Sequence, residues 1–364
     1  MNTDAIVVGG GIVGAACAHR LARAGMKVAV IERSCIGGGA TAAGMGHVVV
    51  MDDNEPEFAL THYSQMLWDR MDLPADAERV HAGTLWVASD EEEMAGASRK
   101  QAGYLQHGMK AELISNSQLR QLEPHLRDGL EGGLLIRNDS VVYPPRVAAY
   151  LLESSQVKVM EGEVSEILDQ GVRLKGGEVL NAPWIILAAG VPSTKLIPEL
   201  PIRPRKGHLA ITDRMPGLVK HQLVELSYLK SAHGSDRDSV AFNVQPRSTG
   251  QVLIGSSRQF DAPDGKVDFD ILSRMLRKAT TFMPALREVL VTRVWTGFRA
   301  ATPDSLPLIG PHPARKGLIL ATGHEGLGIT TSLGTAELVF SHISGAGCQI
   351  DPRPYLPTRE VAHA

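Results

Sequence analysis

The chain opens on an unbroken apolar run, Ala5-Ile6-Val7-Val8, the pattern of a strand buried on both faces of a parallel sheet. Glycines follow at once. Over residues 12–24, Ile12, Val13, Ala16, Cys17 and Leu21 recur at helical spacing, Gly25 suits the position just past a helix end, and residues 27–32 return to strand. The result is a strand–helix–strand unit. A second helix is predicted over residues 55–71, with Leu60, Tyr63, Leu67 and Met71 on one face. From there to about residue 138, short strands such as 83–88 alternate with Glu- and Gln-rich helical stretches. Strands follow over 157–164, 172–175 and 178–180, the last two joined by a Gly176-Gly177 turn, and residues 184–190 (W-I-I-L-A-A-G) read as a buried strand ending in glycine. Longer strands over 201–212, 240–245 and 251–255 suggest an antiparallel sheet, and residues 267–290 contain an amphipathic helix with Phe269, Leu272, Met275, Leu276 and Ala279 on one face. The chain closes with a strand at 317–323, a glycine-rich turn over 326–334 and a helix over 335–343.

Composition narrows the possibilities. Lys and Arg number 37 against 40 Asp and Glu, a net charge of −3, so no global field draws in nucleic acid or an anionic membrane. Cys17, Cys35 and Cys348 form no CxxC pair and no metal-ligand spacing, which argues against a disulfide framework, a zinc site or an iron–sulfur cluster and for a reducing compartment. No basic leader precedes the first apolar run, and the stretch 184–191 falls far short of the ~20 residues that span a bilayer. The expectation is a cytoplasmic protein without a transmembrane segment, free to associate peripherally with the inner face of a membrane. Glycine is the unusual count, at 37 of 364 residues against a background of ~7%, as befits a backbone that approaches a ligand closely.

Gly9-Gly10-Gly11-Ile12-Val13-Gly14 matches G-x-G-x-x-G between the first strand and first helix. In that context the first glycine allows a tight turn, the second lets backbone approach a pyrophosphate, and the third lets helix pack on strand. Glu32 ends the second strand, where a carboxylate can accept hydrogen bonds from an adenosine ribose. A second glycine loop, residues 36–46 (I-G-G-G-A-T-A-A-G-M-G), follows directly. A nicotinamide enzyme needs only the first unit, whereas a flavin enzyme must also hold a ribityl chain and a ring, so FAD is favoured over NAD.

These motifs, with the strand 185–190, the stretch 297–304 (G-F-R-A-A-T-P-D) and the stretch 323–329 (G-H-E-G-L-G-I), resemble the D-amino-acid oxidase-like flavoenzymes. The similar branch contains glycine oxidase, sarcosine oxidase, D-amino-acid dehydrogenase and the proline or hydroxyproline dehydrogenase catalytic subunits. The resemblance implies an α/β fold: an FAD-binding Rossmann-like domain from residues 1–75, 140–205 and 295–364, interleaved with an α+β substrate domain from 76–139 and 206–294 built on a large antiparallel sheet. It implies that Gly9, Gly11, Ile12, Val13, Gly14, Glu32 and Arg33 hold the ADP half of FAD, and that Ala40, Thr41, Ala42, Gly44 and Met45 hold the stretch from pyrophosphate to flavin. Val164 would offer backbone to the adenine, Gly190 and Gly323 would line the cleft, and Gly326, Leu327, Gly328 and Ile329 would present N–H groups to the flavin ring. Sarcosine oxidases attach FAD through a C-terminal cysteine, and residues 297–329 contain none, so the flavin is expected to be non-covalent.

The chemistry implied is oxidation of a small amino acid or cyclic secondary amine acid to its imine by hydride transfer to flavin N5, with D-proline or a hydroxyproline the favoured substrate. Arg299 matches the arginine that grips the substrate carboxylate in glycine and D-amino-acid oxidases, and a guanidinium is the side chain that binds both carboxylate oxygens at once. Two departures stand out. Where glycine oxidase has a carboxylate-binding tyrosine, this chain has Phe242-Asn243, and Asn243 could donate one hydrogen bond; where glycine oxidase has an arginine in G-H-x-R-x-G, this chain has Gly326. Met45 and His47 border the ring in this scheme, His47 either acting on the amine proton or simply packing, and Tyr228 and Arg258 are secondary candidates. The electron acceptor is left among oxygen, a quinone and partner subunits. The alternatives are a glycine or sarcosine-type oxidase producing hydrogen peroxide, and a flavin-bearing structural subunit without activity of its own.

Overall fold

The structure is a computed structural model and describes residues 3–227, 238–262 and 264–360. The chain forms two compact units. One holds the stretches up to Ala77, Val142–Pro204 and from Phe298 on; the other holds Glu78–Val141 and Arg205–Gly297.

The first unit is built on a six-stranded sheet with the order Leu308–Pro311, Leu318–Thr322, Trp184–Leu187, Ala5–Val8, Val28–Glu32, Lys158–Glu161. Its central strands are parallel, with Ala5 opposite Val28 on one side and Trp184 on the other; only Leu308–Pro311 runs antiparallel, at the edge. Successive side chains of the first strand enter different cores. Ala5 and Val7 pack with the helices Ile12–Arg23, Pro144–Ser154 and Gly328–Ser344, while Ile6 and Val8 pack with residues of a small three-stranded sheet over 164–181, which is why this strand has no polar position. The first helix presents Ala15, Ala16, Cys17 and Ala18 to the core. These small side chains let it lie close to the last helix, and the pair is tied by Arg20, which bonds Glu337 at 2.7 Å and stacks 3.6 Å over the Phe340 ring. Helix Glu55–Asp69 begins where the Asn54 side chain accepts the Glu57 N–H at 2.9 Å.

The second unit carries an eight-stranded sheet with the order 291–301, 203–214, 251–258, 239–246, 222–225, 84–88, 132–136, 112–115. From 203–214 to 112–115 its neighbours run antiparallel, except where Gln222–Glu225 runs parallel to Thr84–Ala88. Helix Phe269–Phe282 covers one face, burying Leu272, Met275 and Ala279 with Phe242 and Val244, and Phe242 stacks on Phe282 with ring centroids 4.5 Å apart.

Three sequence expectations differ from what is found. The last helix starts at Gly328, not Thr335, and Gly334 lies inside it. A Cβ on Gly334 would sit 2.4 Å from Ser64 Oγ, so this glycine serves helix packing where a turn was expected. The strand predicted over 157–164 is two strands, Lys158–Glu161 and Val164–Leu168, in different sheets. Phe269, assigned to a buried helix face, is 73% exposed, because it is the helix's first residue and precedes the covered turn.

Candidate active site

Three glycine segments far apart in the sequence converge in the first unit. Gly11 lies against Thr41, whose Oγ1 accepts the Ile12 N–H at 3.0 Å; Gly44 lies against Ile329, with Cδ1 2.9 Å from an added Cβ; and Gly328 lies against Val13, with Cγ2 3.7 Å from one. The loops of residues 9–14, 40–46 and 326–329 thus enclose one locality. Gly9 (φ +107°) and Gly14 make the first turn possible: a Cβ on Gly9 would lie 2.6 Å from Ala188 O, and one on Gly14 would lie 2.0 Å from Gly9 O. Gly190, at φ +63°, accepts a hydrogen bond from Thr322 Oγ1 at 3.3 Å. Gly323, at φ +78°, packs against Thr302.

Glu32 braces this locality from the second strand. One carboxylate oxygen accepts the Gly10 N–H at 2.7 Å, and the other accepts the N–H and hydroxyl of Ser34 at 2.9 and 3.1 Å. Arg33, Ala40 and Ala42 are exposed, Thr41 and Met45 are buried, and Val164 opens the small three-stranded sheet. His47 stands in a short strand, its carbonyl accepting from Thr330 Oγ1 at 3.0 Å, and the same hydroxyl accepts the Val49 N–H at 3.2 Å.

Arg299 sits half-buried near the end of strand Val291–Ala301. Its Nε and Cδ pass 3.6 and 3.7 Å from where a Cβ on Gly326 would stand. The next residue, Ala300, accepts the Glu325 N–H at 3.0 Å, so the strand is fastened to the loop that opens the last helix. Before that loop His324 is fully enclosed, its Nε2 3.0 Å from Thr335 Oγ1, and burial drives its pKa down to about 3. It is a neutral structural imidazole at working pH. Burial pushes the Cys17 thiol up to about 12, which makes it an inert core residue. Asn243 and Arg258 lie in the second unit, and Asn243 Oδ1 is buried with no hydrogen-bond partner among the described residues. Tyr228 lies outside the described residues.

The sequence reading did not single out Thr330 or Glu325 as organising residues, nor the hydroxyl of Thr41 as a cap for the first helix. No local signal pairs Thr41 with Ile12 or Glu325 with Ala300. Among the described residues, no group of three or more His, Cys, Asp and Glu could hold a metal, and no helix is long and apolar enough to cross a membrane.

A dinucleotide fits these residues. The helices starting at Ile12 and Gly328 carry no acidic residue in their first turns; Thr41 Oγ1 takes the Ile12 N–H, and the positive dipole ends and remaining first-turn N–H groups suit an anionic or electron-rich group. The Gly9–Gly14 turn admits close approach of backbone, and Glu32 is already held in place with oxygen lone pairs to spare.

A parallel sheet with a glycine turn leading into a helix and an acidic residue closing the second strand defines a dinucleotide-binding fold. Residues 4–341 match the family described as DAO, FAD dependent oxidoreductase; the chain belongs to that family and is an FAD-dependent enzyme. It is 26% identical to the hydrogen cyanide synthase subunit HcnC of Pseudomonas aeruginosa, over 98% of this chain and 96% of that protein. It is 28% identical to a glycine oxidase of the same species, over 98% and 99% of the two chains. Its fold superimposes on the crystal structure of glycine oxidase from Geobacillus kaustophilus with a TM-score of 0.88 at 26% identity, covering 99% of this chain and 100% of the other.

Proposed function

We propose that the protein oxidises a small amino acid or cyclic secondary amine acid at the carbon–nitrogen bond, with D-proline or a hydroxyproline the favoured substrate. Bound FAD supplies the two-electron acceptor for the C–H next to nitrogen. The residues already named would hold it without a covalent bond: the turn Gly9–Gly14 and Glu32 at the ADP end, the Thr41–Met45 loop in the middle, and the N–H groups of Gly328 and Ile329 at the ring, those of Gly326 and Leu327, also expected there, being donated to Glu325 Oε2 and His324 O.

The observation that carries this reading is the placement of Arg299 over Gly326, at the open start of the last helix. A buried carboxylate needs a fixed cation, and Arg299 is read as that cation. Asn243, in the second unit, is kept as a separate candidate for substrate contact. Its unpartnered atom is the amide oxygen, an acceptor, which suits an amine N–H or a ring hydroxyl better than a carboxylate. That departs from the donor role expected of it. His47 keeps both of its roles, proton transfer from the amine or packing. Three free cysteines suit a reducing cytoplasm.

The glycine oxidase relatives support a second reading, in which oxygen takes the electrons and hydrogen peroxide forms. The name of the HcnC relative, a synthase subunit, supports partner subunits as the acceptor. One experiment tests both: anaerobic mixing of the purified yellow protein with a panel of amino acids, followed at the flavin absorbance, and then admission of air. Bleaching by D-proline or hydroxyproline without recovery in air is the expected result; rapid recovery with peroxide formation favours the oxidase. A flavin that no amino acid bleaches defeats both readings.

A further inference from the structure

We propose that a small cavity at the head of the last helix is a binding site for a single water molecule, held by His324 and Thr331. The site lies wholly within the first unit, and its occupancy does not depend on the reading of Arg299 as a substrate contact.

Three segments enclose the cavity, which measures about 10 Å³. Helix Glu55–Asp69 contributes Glu57 and Leu60, the turn after strand Val291–Ala301 contributes Ser305 and Leu306, and the head of the last helix contributes His324 and Thr331. All of these but Ser305 are buried. The turn is held by its own bonds: Thr302 Oγ1 donates to Leu306 O at 2.8 Å, and the Leu306 N–H donates to Asp304 Oδ1 at 3.2 Å. On the helix side, His324 Nε2 lies 3.0 Å from Thr335 Oγ1, so Nδ1 is the ring nitrogen left to the cavity. Thr331 Oγ1 donates to Leu327 O at 2.8 Å and keeps its lone pairs.

Volume and lining together select the occupant. One water needs about 10–15 Å³, so no substrate, nucleotide fragment or hydrated ion fits. A cavity lined by hydrocarbon alone stays dry and takes up apolar gases, whereas Glu57, Ser305, His324 and Thr331 bring polar side chains to this one. The imidazole makes the strongest demand. A neutral ring has one donor and one acceptor nitrogen, burial holds His324 neutral, and a buried nitrogen left unpaired costs more than an ordinary hydrogen bond gains. Water serves Nδ1 in either tautomer, because it both donates and accepts, and the same molecule can donate to Thr331 Oγ1.

The test uses crystals of the flavin-loaded protein and of its Thr331→Val and Thr331→Ser variants, each before and after pressurisation with xenon. The parent and Thr331→Ser are expected to show one water within ~2.7–3.2 Å of His324 Nδ1 and of the hydroxyl at position 331, and no xenon. Thr331→Val keeps the shape of the side chain and loses the hydroxyl, so that water should be lost. Because this variant also gives up the bond to Leu327 O, occupancy and not stability is the deciding readout. In solution, the nitrogen resonance of His324 Nδ1 in histidine-labelled protein should move in Thr331→Val and keep its parental position in Thr331→Ser. A dry cavity in the parent, or xenon inside it, overturns the inference, as does a His324 Nδ1 bonded to protein alone. A water that survives Thr331→Val unmoved overturns the part given to Thr331.

Discussion

The first and last glycine loops use the same residue for opposite purposes. In the Gly9–Gly14 turn, an added Cβ would strike backbone at 2.0 Å on Gly14 and 2.6 Å on Gly9, contacts that no side-chain adjustment relieves. In the loop opening the last helix, the nearest atoms to a Cβ would be Arg299 Nε at 3.6 Å from Gly326 and His324 Cβ at 3.4 Å from Gly328, ordinary contact distances. Glycine is obligatory for the fold at one end. At the other it leaves open space beside a charged side chain, so the two loops should fail differently when altered.

Gly14→Ala should produce the largest loss. The methyl must push the first helix off the sheet, at a cost above the ~1–3 kcal/mol of ordinary overpacking, and the open helix start it shares with the Gly9 turn moves with it. Expected results are colourless protein and a melting temperature lowered by many degrees; a yellow protein of parental stability would erase the contrast between the loops. Arg299→Ala comes next, and it should act on chemistry alone. Leaving a substrate carboxylate unpaired costs ~3–5 kcal/mol, or about two to four decades of kcat/KM, with FAD content unchanged. Arg299→Lys should fall between, because it keeps the charge and loses the fork. Loss of flavin from Arg299→Ala would mark this arginine as structural and turn attention to Arg258.

The same contrast explains what the sequence discloses. The opening strand, helix and strand are legible because every determinant is local: four apolar residues, helical spacing and a closing Glu32. The overall α/β class is legible for the same reason, from the alternation of buried strands and helices. At the last helix, glycine content suggests a turn through Gly334, yet the helix begins at Gly328; what overrides the local preference is packing against Ser64, whose hydroxyl also accepts the Gly334 N–H at 3.1 Å. The Thr41–Ile12 cap and the Glu325–Ala300 bridge join residues distant in sequence, and no periodicity reports such pairings. Glu325 in particular has the propensity of a helix residue and occupies a left-handed turn, so its position is a tertiary outcome.

The second loop also carries a pH liability that the first lacks. His324 titrates at about 3 in the folded protein because it is buried, against ~6.5 in an unfolded chain. Between those values the unfolded chain binds a proton that the folded one refuses, so stability is complete above pH 6.5 and falls as the pH drops toward 3, by up to ~1.4 kcal/mol per pH unit. His324→Gln, which can still bond Thr335, removes that term. The melting-temperature gap between parent and variant should therefore narrow between pH 7 and pH 5, and parallel pH profiles would show that His324 is protonated, or exposed, in the folded state.

The smallest effect, and the finest test of the comparison, is Gly326→Ala. Gly326 has no positive φ, so alanine meets no backbone strain, and the nearest atoms to its methyl, Arg299 Nε and Cδ at 3.6 and 3.7 Å, are at van der Waals separation. Replacing glycine by alanine where the backbone permits it stabilises by ~0.4–1 kcal/mol through the unfolded chain. The melting temperature should hold or rise slightly, and FAD content should stay at the parental level, the reverse of Gly14→Ala. What changes is the room beside the guanidinium. A methyl lining that space should raise KM for a ring-bearing amino acid while kcat stays within a few-fold, because it crowds binding without removing the cation. A collapse in flavin content would show that both loops carry fold-determining glycines, whereas a fall in kcat with KM unchanged would mean that Gly326 faces the reacting atoms more closely than Arg299 does.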